Sequence, residues 1–357
     1  MERKLASVQI IKDLSPAKNS DNLLIAKILG WDAVVSKKDN YQVGDKVIFF
    51  EIDSFLPCID EFEFLRKSCY KNSPILGEGL RLKTISLRGN LSQGLIMPLE
   101  TFFSQDEIDN LNEDDDLTER LNVKKWEEPE PAVIGGNARG RRPDFIKKTN
   151  EDRIQRFPGL LEEFYNCPEI YASVKIDGSS HSIGINKNDE FHVTSHSMDL
   201  KFEDRKGSFY NFCVEHDLEN KLRKIKADKK LEEIVVQGEY AGPGIQKNKL
   251  GLLQPNWYIF TVDYNGKRAG LSDLREIHHL LEVDMVPVVE IITGQAFKEK
   301  YPNEETILKR AEGNDSGLYV AGQQEGLVFR PSNPTYSKIL KTDLSMKVIN
   351  NEYLLKE

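Results

Sequence analysis

The chain has 357 residues, 39% hydrophobic and 30% charged, with a formal net charge of −9. That length gives a prior of two domains, each large enough for its own core, and the charge weighs against non-specific nucleic-acid binding over the whole surface. No apolar run of about 18 residues occurs, so neither a membrane span nor a membrane partner is expected.

The opening "MERKLASVQIIKDL" lacks the apolar region of a signal peptide. Cys58, Cys69, Cys167 and Cys213 are widely spaced, with no C-x-x-C pair. Neither a zinc site nor a disulfide framework is suggested, and a cytoplasmic or other reducing intracellular compartment fits. A monomer is the default expectation.

Residues 1–126 read as mostly strand. "KLASVQIIKDL" and "LLIAKILGWDAVV" are apolar and partly β-branched. "YQVGDKVIFFEID" sets a turn before a strongly apolar strand, and "RLKTISLRGNLSQGLIMPL" gives two short strands around Arg88-Gly89-Asn90. About five short strands with turns suggest a small barrel, of OB type or a related one. An unrelated β domain stays open on pattern alone. The acidic residues 112–116 read as a solvated loop.

Residues 127–143, "EEPEPAVIGGNARGRRP", cluster proline, glycine and charge and read as a linker. Arg139, Arg141 and Arg142, followed by Lys147 and Lys148, form a basic spot. It could touch a phosphate backbone; a solvated linker is the equal alternative.

Residues 144–357 mix α and β. Helical spacing covers 209–231 and 271–283, and strands are expected at 170–177, 181–186, 190–195, 233–240, 257–264 and 325–330. Asn265-Gly266 is a hairpin turn signal. The six basic residues of 221–230 read as a solvated helix face, with nucleic-acid contact the minority reading.

In "YASVKIDGSSHSIGI", alternation puts Ala172, Val174 and Ile176 on one strand face and Ser173, Lys175 and Asp177 on the other. Only about one ordinary lysine in 2,500 is a neutral nucleophile at pH 7. A nearby cation raises that fraction, and a carboxylate-held metal suits a phosphate electrophile. Alone, this Lys–Asp pair reads as a surface ion pair. Glu239 in "VVQGEYAG", Phe260 in "WYIFTVDY", Glu325 in "EGLVFRP" and Lys347 in "SMKVINNEYLLKE" each have an equally plain structural reading.

Taken in order, K-x-D-G, G-E, F-x-V-D, E-G-L-V-F-R and a final lysine strand resemble the motif series of the covalent nucleotidyltransferases: DNA ligases, RNA ligases and capping enzymes. DNA ligases and capping enzymes carry an OB domain after the last lysine motif, whereas here ten residues follow Lys347. The front of the chain, above all residues 43–57, and "KTNEDRIQRFP" resemble the Naegleria-type RNA ligases, which have an N-terminal OB domain.

The resemblance implies an α+β chain: an OB-type β-barrel (1–126), a linker (127–143) and an ATP-grasp-like ligase domain of antiparallel sheets with flanking helices (144–357). It implies an ATP-dependent RNA ligase with Mg²⁺, or Mn²⁺ in its place, joining 3′-hydroxyl and 5′-phosphate ends through lysyl-AMP in RNA repair. Lys175 is then the nucleophile, and Asp177, Glu239 and Glu325 face the metal. Glu239 also serves the nucleotide, Phe260 stacks on adenine, and Lys347 contacts the α-phosphate and depresses the pKa of Lys175. Arg153 binds the nucleotide or an RNA phosphate.

Two departures stand out. His196 occupies the arginine position of a usual Ser-Arg-Asn segment, and Ile349 replaces a second lysine for which Lys338 or Lys341 could substitute. Two other functions compete: a catalytically inactive RNA-binding relative, which predicts loss of Lys175 or of the carboxylates, and a nucleotidyltransferase for DNA nicks, which predicts equal sealing of DNA.

Overall fold

The computed structural model describes residues 3–126, 138–148, 151–202, 208–320 and 322–355. The chain divides into two units. One is Met1–Pro129 with Gln155–Pro158 and Leu355–Glu357; the other is Glu130–Ile154 with Gly159–Leu354.

The first unit contains β1 (Ala6–Ile10), β2 (Asp13–Pro16), β3 (Leu23–Ile28), β4 (Trp31–Ser36), β5 (Lys46–Phe50), β6 (Ser54–Leu56), β7 (Tyr70–Ser73), β8 (Gly77–Arg81), β9 (Ile85–Leu87), β10 (Asn90–Ser92), β11 (Leu95–Pro98) and β12 (Lys124–Lys125). They pair as β1-β5-β11, β2-β3-β4, β12-β6-β8-β7 and β9-β10. β5 is the most apolar because both of its faces are covered. Ile48 and Phe50 pack with Leu5, Val8 and Leu80, while Val47 and Phe49 pack with Ile11, Trp31 and Ile96. Arg88 and Gly89 both take positive φ between β9 and β10, as a two-residue hairpin turn requires. The chain returns to this unit at residues 155–158, where Arg156 Nε donates to Glu51 (3.2 Å) and Arg3 Nε donates to its other oxygen (2.7 Å).

The second unit contains β13 (Ala138–Arg141), β14 (Ile170–Lys175), β15 (Ser179–Ile185), β16 (Phe191–Thr194), β17 (Met198–Leu200), β18 (Ile234–Ala241), β19 (Asn256–Tyr264), β20 (Lys267–Arg268), β21 (Asp284–Met285), β22 (Val288–Ile292), β23 (Gly326–Pro331) and β24 (Met346–Ile349). The large sheet runs β13-β17-β16-β15-β18-β19-β20, with β21 parallel along β19; the smaller runs β22-β14-β23-β24. The helices Phe209–Glu215, Leu218–Asp228 and Leu271–Leu281 cover the back of the large sheet, burying Phe209, Leu222 and Ile277 with Ile183, Val236 and Ile259.

The expected strands of this unit lie within two residues of their sequence positions. The helical stretch 209–231 is broken at Asp217, which takes φ 53°. Its basic residues Lys221, Arg223 and Lys229 pair with Glu282, Glu219 and Glu276, whereas Lys226 departs from the expected solvated face: it is buried and pairs with Asp189. Of the expected linker, residues 127–137 lie outside the described residues. Its remainder is not a linker: Ala138–Arg141 forms the outermost strand of the large sheet, and Arg142 is buried. Charged residues are normal on an edge strand, which is why the stretch reads as a loop. Among the described residues, no helix is long and apolar enough to cross a membrane.

Candidate active site

Lys175 is the last residue of β14, an inner strand of the smaller sheet. Register places it opposite Gly326, so Glu325 arrives at its side and Lys175 Nζ lies 2.6 Å from Glu325 Oε1. A Cβ on Gly326 would meet the Val348 carbonyl at 2.2 Å, so only glycine lets β23 approach β24 this closely. Val174 and Ile176 are buried in the expected core. Ser173, on the opposite face, is also buried, and residues 173–176 together line a cavity.

That cavity, of about 230 Å³, is lined by Lys175, Glu239, Phe260, Lys347, His196 and Arg330, among others. Each reaches it by strand geometry. β15 and β18 set Ser180 opposite Glu239. Gly178 permits this, since a Cβ there would meet the Tyr240 carbonyl at 2.5 Å and Glu239 Cγ at 3.0 Å. Lys347 stands opposite Val328 in β24, and its N–H donates to the Asp152 carbonyl (2.8 Å). Phe260 is the extra residue of a β-bulge: Thr261 pairs with Gln237 and Ile259 with Gly238, leaving Phe260 between them. Val262 and Ile259 thus both stay in the core while Phe260 turns to the cavity.

Buried Arg330 fixes this platform. Its Nη1 donates to the Phe260 carbonyl (2.6 Å) and its Nη2 to Glu151 Oε1 (2.5 Å). His196 sits at the tip of the β16–β17 hairpin, where Ser195 N–H donates to the Met198 carbonyl (2.9 Å).

Asp177 and Glu325 lie beside the cavity rather than in its lining. Asp177 is not the ion-pair partner of Lys175. Its carboxylate accepts from the Tyr353 hydroxyl, and its N–H donates to the Tyr319 hydroxyl (2.9 Å). The same Tyr319 hydroxyl donates to the Lys175 carbonyl (2.6 Å), locking the turn between them. Arg153 forms a backbone bridge with Lys347 and is also outside the lining. Lys338 and Lys341 are exposed and are not part of the cavity lining, and Ile349 is core.

The cluster is electrostatically crowded. Burial pushes Glu239 up to about 8, the negative charges of Glu325 and Asp177 push the same way, and Lys175 opposes them. Burial also raises Glu325 despite its contact with Lys175. Burial alone would lower the Lys175 ammonium, but Glu325, Glu239 and Asp177 outweigh it and hold its pKa above that of an ordinary lysine. The carboxylates, rather than the expected influence of Lys347, set this direction. Glu325 Oε2 is buried and, among the described residues, accepts no hydrogen bond.

Sequence reasoning missed Tyr319, Tyr353, Glu151 and Arg330. Arg330 carried the one usable signal, a cation at the end of an apolar strand. A larger cavity of about 340 Å³, lined by His216, His278 and His279, contains none of the expected site residues.

A model of an OB-fold domain matches residues 5–99, and the RNA ligase family model matches residues 168–349. Comparison with curated proteins gives no match. The chain is similar to the structure of Naegleria gruberi RNA ligase with PPi, at 27% identity and TM-score 0.82, over 100% of this chain and 99% of that one. A glutamate-to-alanine mutant of that ligase with AMP and Mn matches at 26% and 0.82, and a lysine-to-alanine mutant with ATP and Mn at 26% and 0.81, each over 99% of both chains. The chain belongs to the RNA ligase family, with an OB-fold domain preceding its ligase domain.

Proposed function

We propose that this RNA ligase is ATP-dependent and joins RNA 3′-hydroxyl and 5′-phosphate ends through AMP carried on Lys175. The observation that carries the reading is Lys175 Nζ, 2.6 Å from Glu325, at the wall of a cavity that also presents Phe260 and Lys347. The similar Naegleria structures with ATP, AMP and Mn support the choice of nucleotide and of a divalent cation.

The residues fit a hydrated cation. Among the described residues, Glu325 has a buried oxygen without a donor, and the carboxyl groups of Asp177 and Glu239 stand close enough to interact with it electrostatically. They do not form a ready-made cage: among the described residues, no three His, Cys, Asp or Glu side chains are placed to hold a metal directly. Oxygen ligands and water suit Mg²⁺ or Mn²⁺. When bound, the cation orients triphosphate oxygens and offsets their developing charge.

Lys175 starts as an ammonium paired with Glu325. It must lose a proton before Nζ attacks the α-phosphorus of ATP. A P–N bond then forms, the bond to the β-phosphate oxygen breaks, and pyrophosphate leaves. Lys347 faces the α-phosphate and stabilises the added charge. Phe260 supplies the face on which adenine stacks. The RNA 5′-phosphate next attacks the lysyl phosphorus, taking AMP and releasing Lys175. Finally the RNA 3′-hydroxyl attacks that 5′-phosphorus and AMP departs. The working division is a barrel that holds RNA and a ligase domain that performs the chemistry.

Incubation with α-phosphate-labelled ATP and Mg²⁺, followed by a denaturing gel, tests this. Label should appear on the chain, be removed by pyrophosphate, and be lost in Lys175→Ala. Labelling that survives Lys175→Ala would overturn the assignment. Equal sealing of all-RNA and all-DNA nicks would overturn the preference for RNA.

A further inference from the structure

The outer edge of the large sheet carries cations and aromatics together. Phe202 is 55% exposed, and its ring stands edge-on to Tyr210 at 5.6 Å and 83°. Ala138 pairs with Leu200 and Gly140 with Asp199, so Arg139 is the extra residue of a bulge; its Nη2 donates to the Tyr210 hydroxyl (3.3 Å). Arg141 and Lys201 are exposed beside them. Among the described residues, Arg139, Arg141 and Lys201 make no ion pair, unlike the basic helix residues Lys221, Arg223, Lys226 and Lys229. Edge-strand charge alone would guard against stray strand pairing. It gives no reason for a half-exposed phenylalanine held against a tyrosine.

We propose that this edge, centred on Arg139, Tyr210 and Phe202, binds the unpaired RNA strand leading to the joining cavity. Flat rings offer stacking faces for bases, and guanidinium groups offer contacts to phosphates; together they suit single-stranded nucleic acid. The edge is mechanically tied to the cavity. Arg142, next to Arg141, turns inward and donates to the carbonyls of Ser195 (3.0 Å) and His196 (3.2 Å) and to Ser182 Oγ (2.9 Å). It thereby pins the hairpin tip whose His196 lines the cavity. From Met198 to Phe202 the chain spans at most about 14 Å. This inference rests on RNA being the substrate.

The test uses the full chain and a short, labelled 5′-phosphorylated RNA without a reactive 3′-hydroxyl. Phe202→Ala should weaken RNA binding about 5- to 150-fold. Arg139→Ala should weaken binding and reduce the salt slope by about one. Phe202→Tyr should retain binding. Labelling of the protein by ATP should stay within about twofold of the parent in all three, since none touches the nucleotide cavity. Unchanged RNA affinity in both alanine variants would overturn the proposal, and so would a parallel loss of RNA binding and ATP labelling. Failure of the parent to label would instead overturn the ligase mechanism, leaving the binding comparison to judge the edge.

Discussion

Glu151–Arg330 and Lys175–Glu325 are two glutamate–cation pairs beside one cavity. In the first, the guanidinium spans Glu151 and the Phe260 carbonyl, a fork in a fixed plane. Burial pushes Glu151 up, but Arg330 and Arg268 outweigh it and hold it at about 2. In the second, a lysine is a point charge on a flexible stem. Glu325 stays above the ordinary carboxylate range. The first pair is a fixture that aims Phe260. The second can exchange partners, which a nucleophile must do. Similar charges at similar depth thus serve opposite needs, and the difference lies in the cation: a planar fork tied also to a backbone carbonyl against an ammonium on a flexible stem.

The sharpest way to break this contrast is Lys175→Ala. ATP labelling should fall by at least about 10³-fold, because Lys175 is the residue assigned as the nucleophile. Arg330→Met should act on stability instead. It strands Glu151 in the interior and should cost about 3–5 kcal/mol by denaturant unfolding. The double variant Glu151→Gln/Arg330→Met should recover part of that cost. If it recovers none, the pair is not the fixture described.

Acid separates the pairs further. Glu151 titrates at about 2 when folded against an ordinary 4.5, so its lowered pKa contributes stability above about pH 4.5. That contribution, roughly 3 kcal/mol, disappears as pH falls through about 2. The stability gap between the parent and Glu151→Gln should therefore narrow across that window; a constant gap would refute the linkage. The smallest expected effect on the fold is Tyr353→Phe, about 1 kcal/mol from one lost hydrogen bond. Because that hydroxyl orients Asp177, the Mg²⁺ concentration needed for half-maximal labelling should rise about tenfold. No change would remove Tyr353 from the support of the site.

The sequence made Lys175 legible because strand alternation and a following Gly178 are local signals, and because later motifs fall in a recognisable order. The apolar run of β5 was equally plain. Arg142 was hidden. Its neighbours are proline, glycine and arginine, which read as a linker, while its acceptors on Ser182, Ser195 and His196 lie 40–54 residues away. Tyr353 and Tyr319 were hidden likewise: their partners Asp177 and Lys175 are 176 and 144 residues distant. Residues whose role is to steady another residue leave little periodic trace, since only the fold brings the two together.

The bulge at Phe260 has a consequence for engineering. Removing that one residue would give β18 and β19 an uninterrupted ladder, with Val262, Ile259 and Trp257 still facing the helices. The shortened strand should tolerate heat at least as well as its parent, yet lose the aromatic face offered to adenine. A selection for thermal robustness alone would then favour the deletion, and a selection for joining would restore the irregularity.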